Sequence, residues 1–570
     1  MLKKCIVFFK WTILLYVLMG VLVQFFNTFG IKIFQELLDK VVVADDFNDV
    51  LSHIFLYGAL LAGAAILNYL IEYPQTYLSV SVLERLKIMA LSKVSKIDYS
   101  AYQNIGTGEM IKVIENGASA GMNIIHSFYL RILHELLPAI IFSLIFIGLY
   151  NMNIMIIIAA GYVVIFCLTN LLLRMLYRIK SSLLESQEKM SKYSIRGFME
   201  LVVFRLNKRY EKEIERLHNT AGVIVKKSTQ IKMIHESFFA IFALLVNTIK
   251  VAVLIYGVKN ILSGESSIGV TIALIMFIDQ VYTPIAIFNV LYVDYKLNRV
   301  TYIRFEAFLN APEDVNLETG REVTALEGNI EFKEVTFDYG SSSVLRNVSF
   351  SIKQGSSVAI VGLSGSGKST IIKLMLGLLK KKSGDILFDG IDIDELKLNS
   401  LYDHVSYISQ EAPIFDTTIR GNIVFDHQMS DKRVYDILEK VHLKEKVLSF
   451  PIQLDTMVGE RGMKLSGGER QRLAFGRIIA QKRNIVILDE PISALDNITE
   501  KNIMEGILQM FSDKTLIIIA HRLHFIKDVD QILLVRDGEI VDEGNFEYLI
   551  RNSGYFQELW SKDIQNESAV

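Results

Sequence analysis

Apolar residues dominate the first 300 positions in runs far longer than a buried soluble helix needs, and then the runs stop. A helix that crosses a membrane takes about 20 mostly apolar residues. Six stretches reach that length, at 11–33, 53–80, 127–149, 152–173, 238–258 and 267–292. Beyond Arg299 the pattern turns to short Val/Ile-rich runs alternating with helical periodicity, which predicts a soluble α/β domain with its chemistry at strand ends. Between the two regimes lies APEDVNLETGREVTALEG, Ala311 to Gly328, acidic, polar and turn-rich as a linker is. The pattern predicts an all-α six-helix transmembrane domain over 1–310, a linker over 311–328 and an α/β domain over 329–570.

Orientation follows from where Lys and Arg fall. The loop after the first span carries Asp39, Asp45, Asp46 and Asp49 against Lys40, the turn after the third span is uncharged, and the loop after the fifth has only Lys259 and Glu265. Fourteen basic residues lie between Arg174 and Lys232, and the connection after the second span adds Arg85, Lys87, Lys93 and Lys96. Both termini and the α/β domain are therefore expected on the cytoplasmic side. The two inner connections keep apolar positions at helical spacing and read as stalks continuing the spans; a merely connecting polar loop is the alternative.

Composition agrees with a membrane portion: 51% of the 570 residues are hydrophobic, and the mean hydropathy is +0.34. The net charge of -2 offers no basic footprint for nucleic acid. Cys5 and Cys167 stand far apart in or beside apolar runs and read as small apolar residues, not a disulfide or a metal pair. The start MLKKCIVFFKW has the charge of a signal peptide, but its apolar run continues too far and lacks a small-residue cleavage site.

Chemistry enters with GLSGSGKST, Gly362 to Thr370, which fits the P-loop spacing. A strand, SSVAIVG, precedes it and a helical run, TIIKLMLGLL, follows, so loop amides and a helix N-terminus would converge on phosphate oxygens. Gly362, Ser364, Gly365, Ser366, Gly367, Lys368, Ser369 and Thr370 form the candidate phosphate-binding set. Lys368 supplies a mobile charge and Ser369 a hydroxyl for Mg2+. NIVILDE, Asn484 to Glu490, is a buried-strand run ending in two carboxylates. Asp489 suits a Mg2+ ligand sphere, and Glu490 a general base toward an attacking water. LSGGERQ, Leu465 to Gln471, adds a second anion-binding helix start at Ser466, Gly467, Gly468 and Glu469. One nucleotide cannot easily be wrapped by both helix starts of one domain.

The combination of GLSGSGKST, LSGGERQ, NIVILDE and SALD resembles the P-loop ATPase domain of ATP-binding cassette proteins, and the six spans resemble the membrane half of their exporter-type members. The resemblance implies two such chains, a homodimer or a heterodimer, with each ATP between one chain's P-loop and the other's signature helix. It implies further roles: Tyr339 stacking on adenine, Gln410 sensing Mg2+ and the attacking water, and His521 contacting the γ-phosphate. Ser493 to Asp496 take the place of the loop joining the two sites. TMVGERG, Thr456 to Gly462, resembles the segment that meets the partner's stalk, YSAYQNIGTGE, Tyr99 to Glu109, the first coupling helix, and Gly197 to Glu211 the approach to the second. Phe475, Gly476 and Ile492 depart from the usual residues, at positions that hold no phosphate.

Ionisable groups inside spans face a cavity or a partner. Glu135, Lys250 and Asp279 are the clearest; the resemblance implies that the fifth and sixth spans help line the translocation path, which makes Asp279 with Gln280 the candidate substrate contact, and an ion pair such as Glu135 with Lys250 is the structural alternative. Pro284 is expected to kink the sixth span. The histidines His53, His126, His134 and His235 show no ligand spacing.

Spans, motifs and resemblance together lead to the expectation of an ATP-driven, Mg2+-dependent transporter half in a bilayer, exporting a small molecule, lipid or peptide, in the cell membrane of a bacterium, and the resemblance implies alternating access as its mechanism. An importer of siderophore type on the same architecture, or an ATP-gated channel-like protein, stands as the alternative; a soluble ATPase acting on DNA is disfavoured by the spans. The first span begins almost at Met1, so a leader-cleaving peptidase domain is not expected.

Overall fold

The computed structural model describes residues 2–568 except 45, 153, 157, 159, 162–175, 184, 188, 191–192, 194–204, 341, 411, 426–427, 460–461, 491–504 and 521. The chain divides into two compact units, Met1–Ser95 with Ile105–Ala311, and Lys96–Asn104 with Pro312–Val570.

The first unit is helical. Among the described residues, five helices are long and apolar enough to cross a membrane: Lys10–Val43, Phe47–Val94, Gly108–Tyr150, Tyr210–Leu262 and Ile268–Leu309. Each contains one expected span; most of the fourth expected span, 152–173, together with Cys167, lies outside the described residues. The helices run well past membrane thickness, as stalks do. Local chemistry starts them: the Asp46 carboxylate accepts from the Asn48 amide and the Ser267 hydroxyl from the Val270 amide. Ile268–Leu309 is the packing centre, with Phe277, Ile278, Val281 and Tyr282 fully buried and the Tyr282 hydroxyl donating to the Ile158 carbonyl at 2.9 Å. In lipid such burial gains from close packing rather than from release of water.

At the end of the unit where Lys10–Val43 finishes and Ile268–Leu309 begins, Asp39 ties three helices together. Its carboxylate accepts from the Ser267 hydroxyl at 2.7 Å, from the Gly269 amide at 2.9 Å and from the Gln35 side chain, and the Gln35 carbonyl oxygen accepts from the Tyr150 hydroxyl at 2.8 Å. Further in, the helix from Gly108 widens into π-helical turns over Ile124–Leu130 and Ile132–Leu136. There His134 stacks on Tyr16 with ring centroids 4.4 Å apart, and its Nε2 meets the Tyr16 hydroxyl at 3.0 Å.

The intramembrane charges pair differently from the alternative left open by the sequence. Glu135 accepts from Arg131 of its own helix at 2.8 Å, and Lys250 lies 2.5 Å from Asp279. The reasons are geometric. Residues four apart on one helix meet without any crossing. Lys250 stands twelve residues before Leu262 and Asp279 twelve after Ser267, so on two antiparallel neighbours they reach the same depth.

The second unit carries two sheets. Six strands, in the order β10 (Glu539–Gly544), β9 (Gln531–Arg536), β3 (Ser357–Val361), β8 (Thr515–Ile519), β7 (Ile485–Asp489), β6 (Val405–Ile408), are parallel from β9 to β6. The second sheet, of β2 (Ser342–Ile352), β1 (Ile330–Tyr339), β4 (Ser383–Phe388) and β5 (Ile391–Asp392), is antiparallel. β7 and β8 are buried at every residue, as parallel strands covered on both faces must be. The segment read as a linker is fastened to this unit: the Arg321 amide donates to the Glu395 carbonyl at 2.7 Å, and the Glu327 and Asn329 amides donate to Asp389 at 2.7 and 2.8 Å. Residues 96–104 also belong here. Ile97 bridges to Glu313, Tyr99 packs against the core under the P-loop helix, and Lys373 lies 5.9 Å from the Tyr99 ring centroid.

Candidate functional site

In open α/β sheets, ligands bind outside the carboxyl ends of parallel strands. Four such ends adjoin here, those of β3, β8, β7 and β6, and each leads into a predicted site segment. β3 runs into Gly362–Gly367, and the helix Lys368–Met375 follows. Gly365 and Gly367 have φ of +81° and +111°, conformations open to glycine at no steric cost. An added Cβ at Gly365 would meet open space, so its glycine serves the backbone and not packing.

Lys368 is buried, and its ammonium donates to the Gly362 and Leu363 carbonyls at 2.8 and 2.9 Å. Burial holds it below the ordinary lysine range, against the opposing pull of the Glu490 and Asp489 carboxylates. The Ser366 hydroxyl is buried without a hydrogen-bond partner among the described residues. A buried cation, an orphaned hydroxyl and a helix N-terminus together suit a phosphate group. Ser369 is exposed at the helix start, and Thr370 is buried, its amide turned to the Gly367 carbonyl at 3.0 Å.

β7 delivers the two acids. Asp489 is buried, and its carboxylate accepts from the Tyr407 hydroxyl at 3.4 Å. Burial, the Asp489 charge and that hydrogen bond push the Tyr407 phenol up, so it stays protonated as a donor. Glu490 has φ of +49°, costly for a residue with a Cβ, and its amide donates to the Ile519 carbonyl at 3.1 Å. The Gln410 amide nitrogen donates to the Glu490 carboxylate at 2.6 Å. The structure thus brings Lys368, Asp489, Glu490 and Gln410 together. Ser369 hydroxyl, Asp489 carboxylate and Gln410 carbonyl are hard oxygen donors, the set that suits Mg2+. Tyr339 is 43% exposed, and its ring stands perpendicular to that of Phe337 with centroids 4.8 Å apart.

The signature segment is built as a capping box. Ser466 accepts from the Glu469 amide at 3.3 Å and Glu469 accepts from the Ser466 amide at 2.8 Å, at the start of the helix Gly467–Gln481. Burial acts to raise the Glu469 carboxyl, but the Ser466 amide and the Lys446 and Arg472 charges outweigh it and hold the carboxyl below the usual range. This helix packs through Leu473, Ala474 and Phe475 into a core separate from the one that takes Ile371 and Ile372 of the P-loop helix.

His521, Ile492, Ser493 to Asp496, Glu460, Arg461 and residues 197–204 lie outside the described residues. In the first unit, Gln280 accepts from the Thr28 and Ser143 hydroxyls at 3.1 and 3.0 Å and so joins three helices, while Asp279 is engaged by Lys250. Sequence reasoning missed Tyr407. The alternation in VSYI places its side chain opposite Ser406 and Ile408, a signal that was there to use.

Residues 13–285 match the description of an ABC transporter transmembrane region, and residues 345–493 that of an ABC transporter domain. The chain is 38% identical over 292 residues to the ATP-binding cassette sub-family B member 6 of Xenopus tropicalis, across 50% of this chain and 34% of that protein. It is 32% identical over 366 residues to the uncharacterized ABC transporter ATP-binding protein YwjA of Bacillus subtilis (strain 168), across 64% of this chain and 63% of that protein. The chain therefore spans about a third of the first relative's length and somewhat under two thirds of the second's. In fold, 99% of the chain matches 98% of a bacterial Atm1-family ABC exporter solved with ATP bound, with a TM-score of 0.83 at 23% identity.

Proposed function

The chain belongs to the ABC transporter family, with its transmembrane region and ATP-binding domain in one polypeptide, and on that premise we propose that it is one half of a dimeric ATP-driven exporter. The observation that carries the reading is the convergence of Lys368, Asp489, Glu490 and Gln410 at the ends of adjacent parallel strands.

Lys368, the loop amides from Ser364 to Thr370 and the Ser366 hydroxyl hold the phosphates, and Tyr339 receives the adenine ring. Ser369, Asp489 and Gln410 would hold Mg2+, which supplies charge neutralisation at the β- and γ-oxygens. Glu490 takes the proton of the attacking water, oriented for it by the Gln410 amide. His521 is assigned the γ-phosphate contact. Ser466 to Glu469 of a second chain close each site in this reading; within one chain the signature helix and the P-loop helix rest in different cores, which agrees with that division. Closure then moves the stalks, alternating access exports a small molecule, lipid or peptide, and Asp279 and Gln280 are the candidate substrate contacts. The setting is a bacterial cell membrane, with both termini cytoplasmic; the second chain is another copy or a separate half.

Mixed dimers test this arrangement. Lys368→Ala and Ser466→Ala chains, each inactive alone, should regain part of the ATPase activity when co-assembled, since one of the two composite sites is then intact. Activity of the Ser466→Ala chain alone at the wild-type level would contradict a shared site.

A further inference from the structure

The short turn Leu523–Ile526 begins two residues after His521. A helical start needs an acceptor for its first amides, and the residue at the cap, Arg522, has no acceptor in its side chain. The acceptor comes from forty residues away. On the C-terminal helix Gly554–Ser568, Asp563 accepts from the Leu523 amide at 2.8 Å, and the same carboxylate oxygen lies 3.5 Å from His524 Nδ1.

A second fastening backs the first. Lys527, just past the turn, lies 5.0 Å from the Trp560 ring centroid and 5.8 Å from that of Phe546, and Phe546 meets Trp560 edge-on at 5.0 Å. Leu523 and Ile526 are both buried beneath these contacts. On the other side of His521, Ile519 is the last paired residue of β8, in register with Ile360 and Asp489. Only residues 520 to 522 separate that fixed strand end from Leu523.

We propose that Asp563 is a positioning residue for ATP hydrolysis: by holding the Leu523 amide it fixes the far end of the three-residue connection that carries His521. The proposal rests on the reading of this site as an ATPase. It gives the C-terminal helix a role that packing alone does not require. A carboxylate acceptor makes a stronger hydrogen bond to the amide than a neutral one, and a small displacement at a reacting group lowers turnover far more than binding.

The test uses the full chain in nanodiscs, as wild type, Asp563→Asn and Asp563→Ala, with ATPase kinetics and amide hydrogen exchange over residues 515–526. Asp563→Ala should lower kcat by about tenfold with KM for ATP nearly unchanged, and exchange at Leu523 should speed up. Asp563→Asn keeps an oxygen acceptor without the charge and should fall between the two. If Asp563→Ala does not fold, Asp563→Asn carries the test. A wild-type kcat in whichever variant shows faster exchange at Leu523 overturns the proposal, as does a rise in KM with kcat unchanged. A wild-type chain without ATPase activity overturns the transporter reading instead, and exchange at Leu523 alone then decides whether Asp563 anchors the turn.

Discussion

Replacing Lys250 by Met should destabilise the first unit more than replacing Lys250 and Asp279 together. Lys250 lies twelve positions before the helix end Leu262 and Asp279 eleven after the helix start Ile268, which at about 1.5 Å per residue is ~17 Å deep, near the middle of a hydrocarbon core of ~30 Å. A lone charge at that depth costs roughly 2.5–3.5 kcal/mol. At 2.5 Å separation the pair attracts strongly, but the Asp279 side chain is 56% exposed on the single chain, so screening limits the gain. We expect about 2–3 kcal/mol lost in Lys250→Met or Asp279→Leu alone, and within ~1 kcal/mol of wild type in the double variant, where no charge is left without a partner. Thermal melts of the four proteins in one nanodisc composition would rank them. If the double variant loses as much as the two single losses combined, the charges are not coupled and the pairing argument is wrong. A double variant that melts like wild type but no longer responds to substrate in its ATPase rate would separate a substrate contact at Asp279 from the structural one.

Asp39→Ala removes acceptors for the Ser267 hydroxyl and the Gly269 amide; it should cost about 1–3 kcal/mol, and hydrogen exchange should rise at the first turn of Ile268–Leu309. Glu469→Gln weakens the capping box by about 0.5–2 kcal/mol. The wild-type Glu469 carboxyl is depressed in the folded chain, so its contribution is complete above the unfolded glutamate value of ~4.3 and lost as pH falls through the lower folded value. The difference between wild type and variant, followed by exchange at the signature helix, should therefore vanish in acid. Arg477 lies against the touching rings of Phe415 and Phe425, 4.9 and 4.8 Å from their centroids, and donates to the Asn422 and Pro413 carbonyls. Burial pulls its guanidinium down to about 10, still charged at neutral pH. Arg477→Lys cannot satisfy that fork, and should cost roughly 2–4 kcal/mol in melts of the protein.

The spans and the P-loop were legible because each is written in consecutive residues: a run of twenty apolar positions, or glycines and a lysine at fixed offsets. Cross-helix partners are not written that way. Glu135 and Lys250 are opposite charges in two of the spans, but only counting depth from the loop between Leu262 and Ser267 shows that Lys250 faces Asp279. The run TIIKLMLGLL looks helical to its end, whereas the helix stops at Met375 because Gly377 takes φ of +67° and reverses the chain. The polar stretch 311–328 reads as a loose connection, and Asp389, far away in sequence, fastens its end. Asp563 carries no motif at all; only the fold brings it to Leu523.

The most direct measurement is ATP hydrolysis by the purified chain in nanodiscs with Mg2+, together with the mass of the assembly, for wild type and Glu490→Gln. A two-chain assembly is expected, whose wild type releases phosphate and whose variant binds ATP but is slower by at least about a hundredfold, the lower range for loss of a general base. A Glu490→Gln protein that hydrolyses ATP at the wild-type rate would contradict the assignment of the base and, with it, the site as drawn.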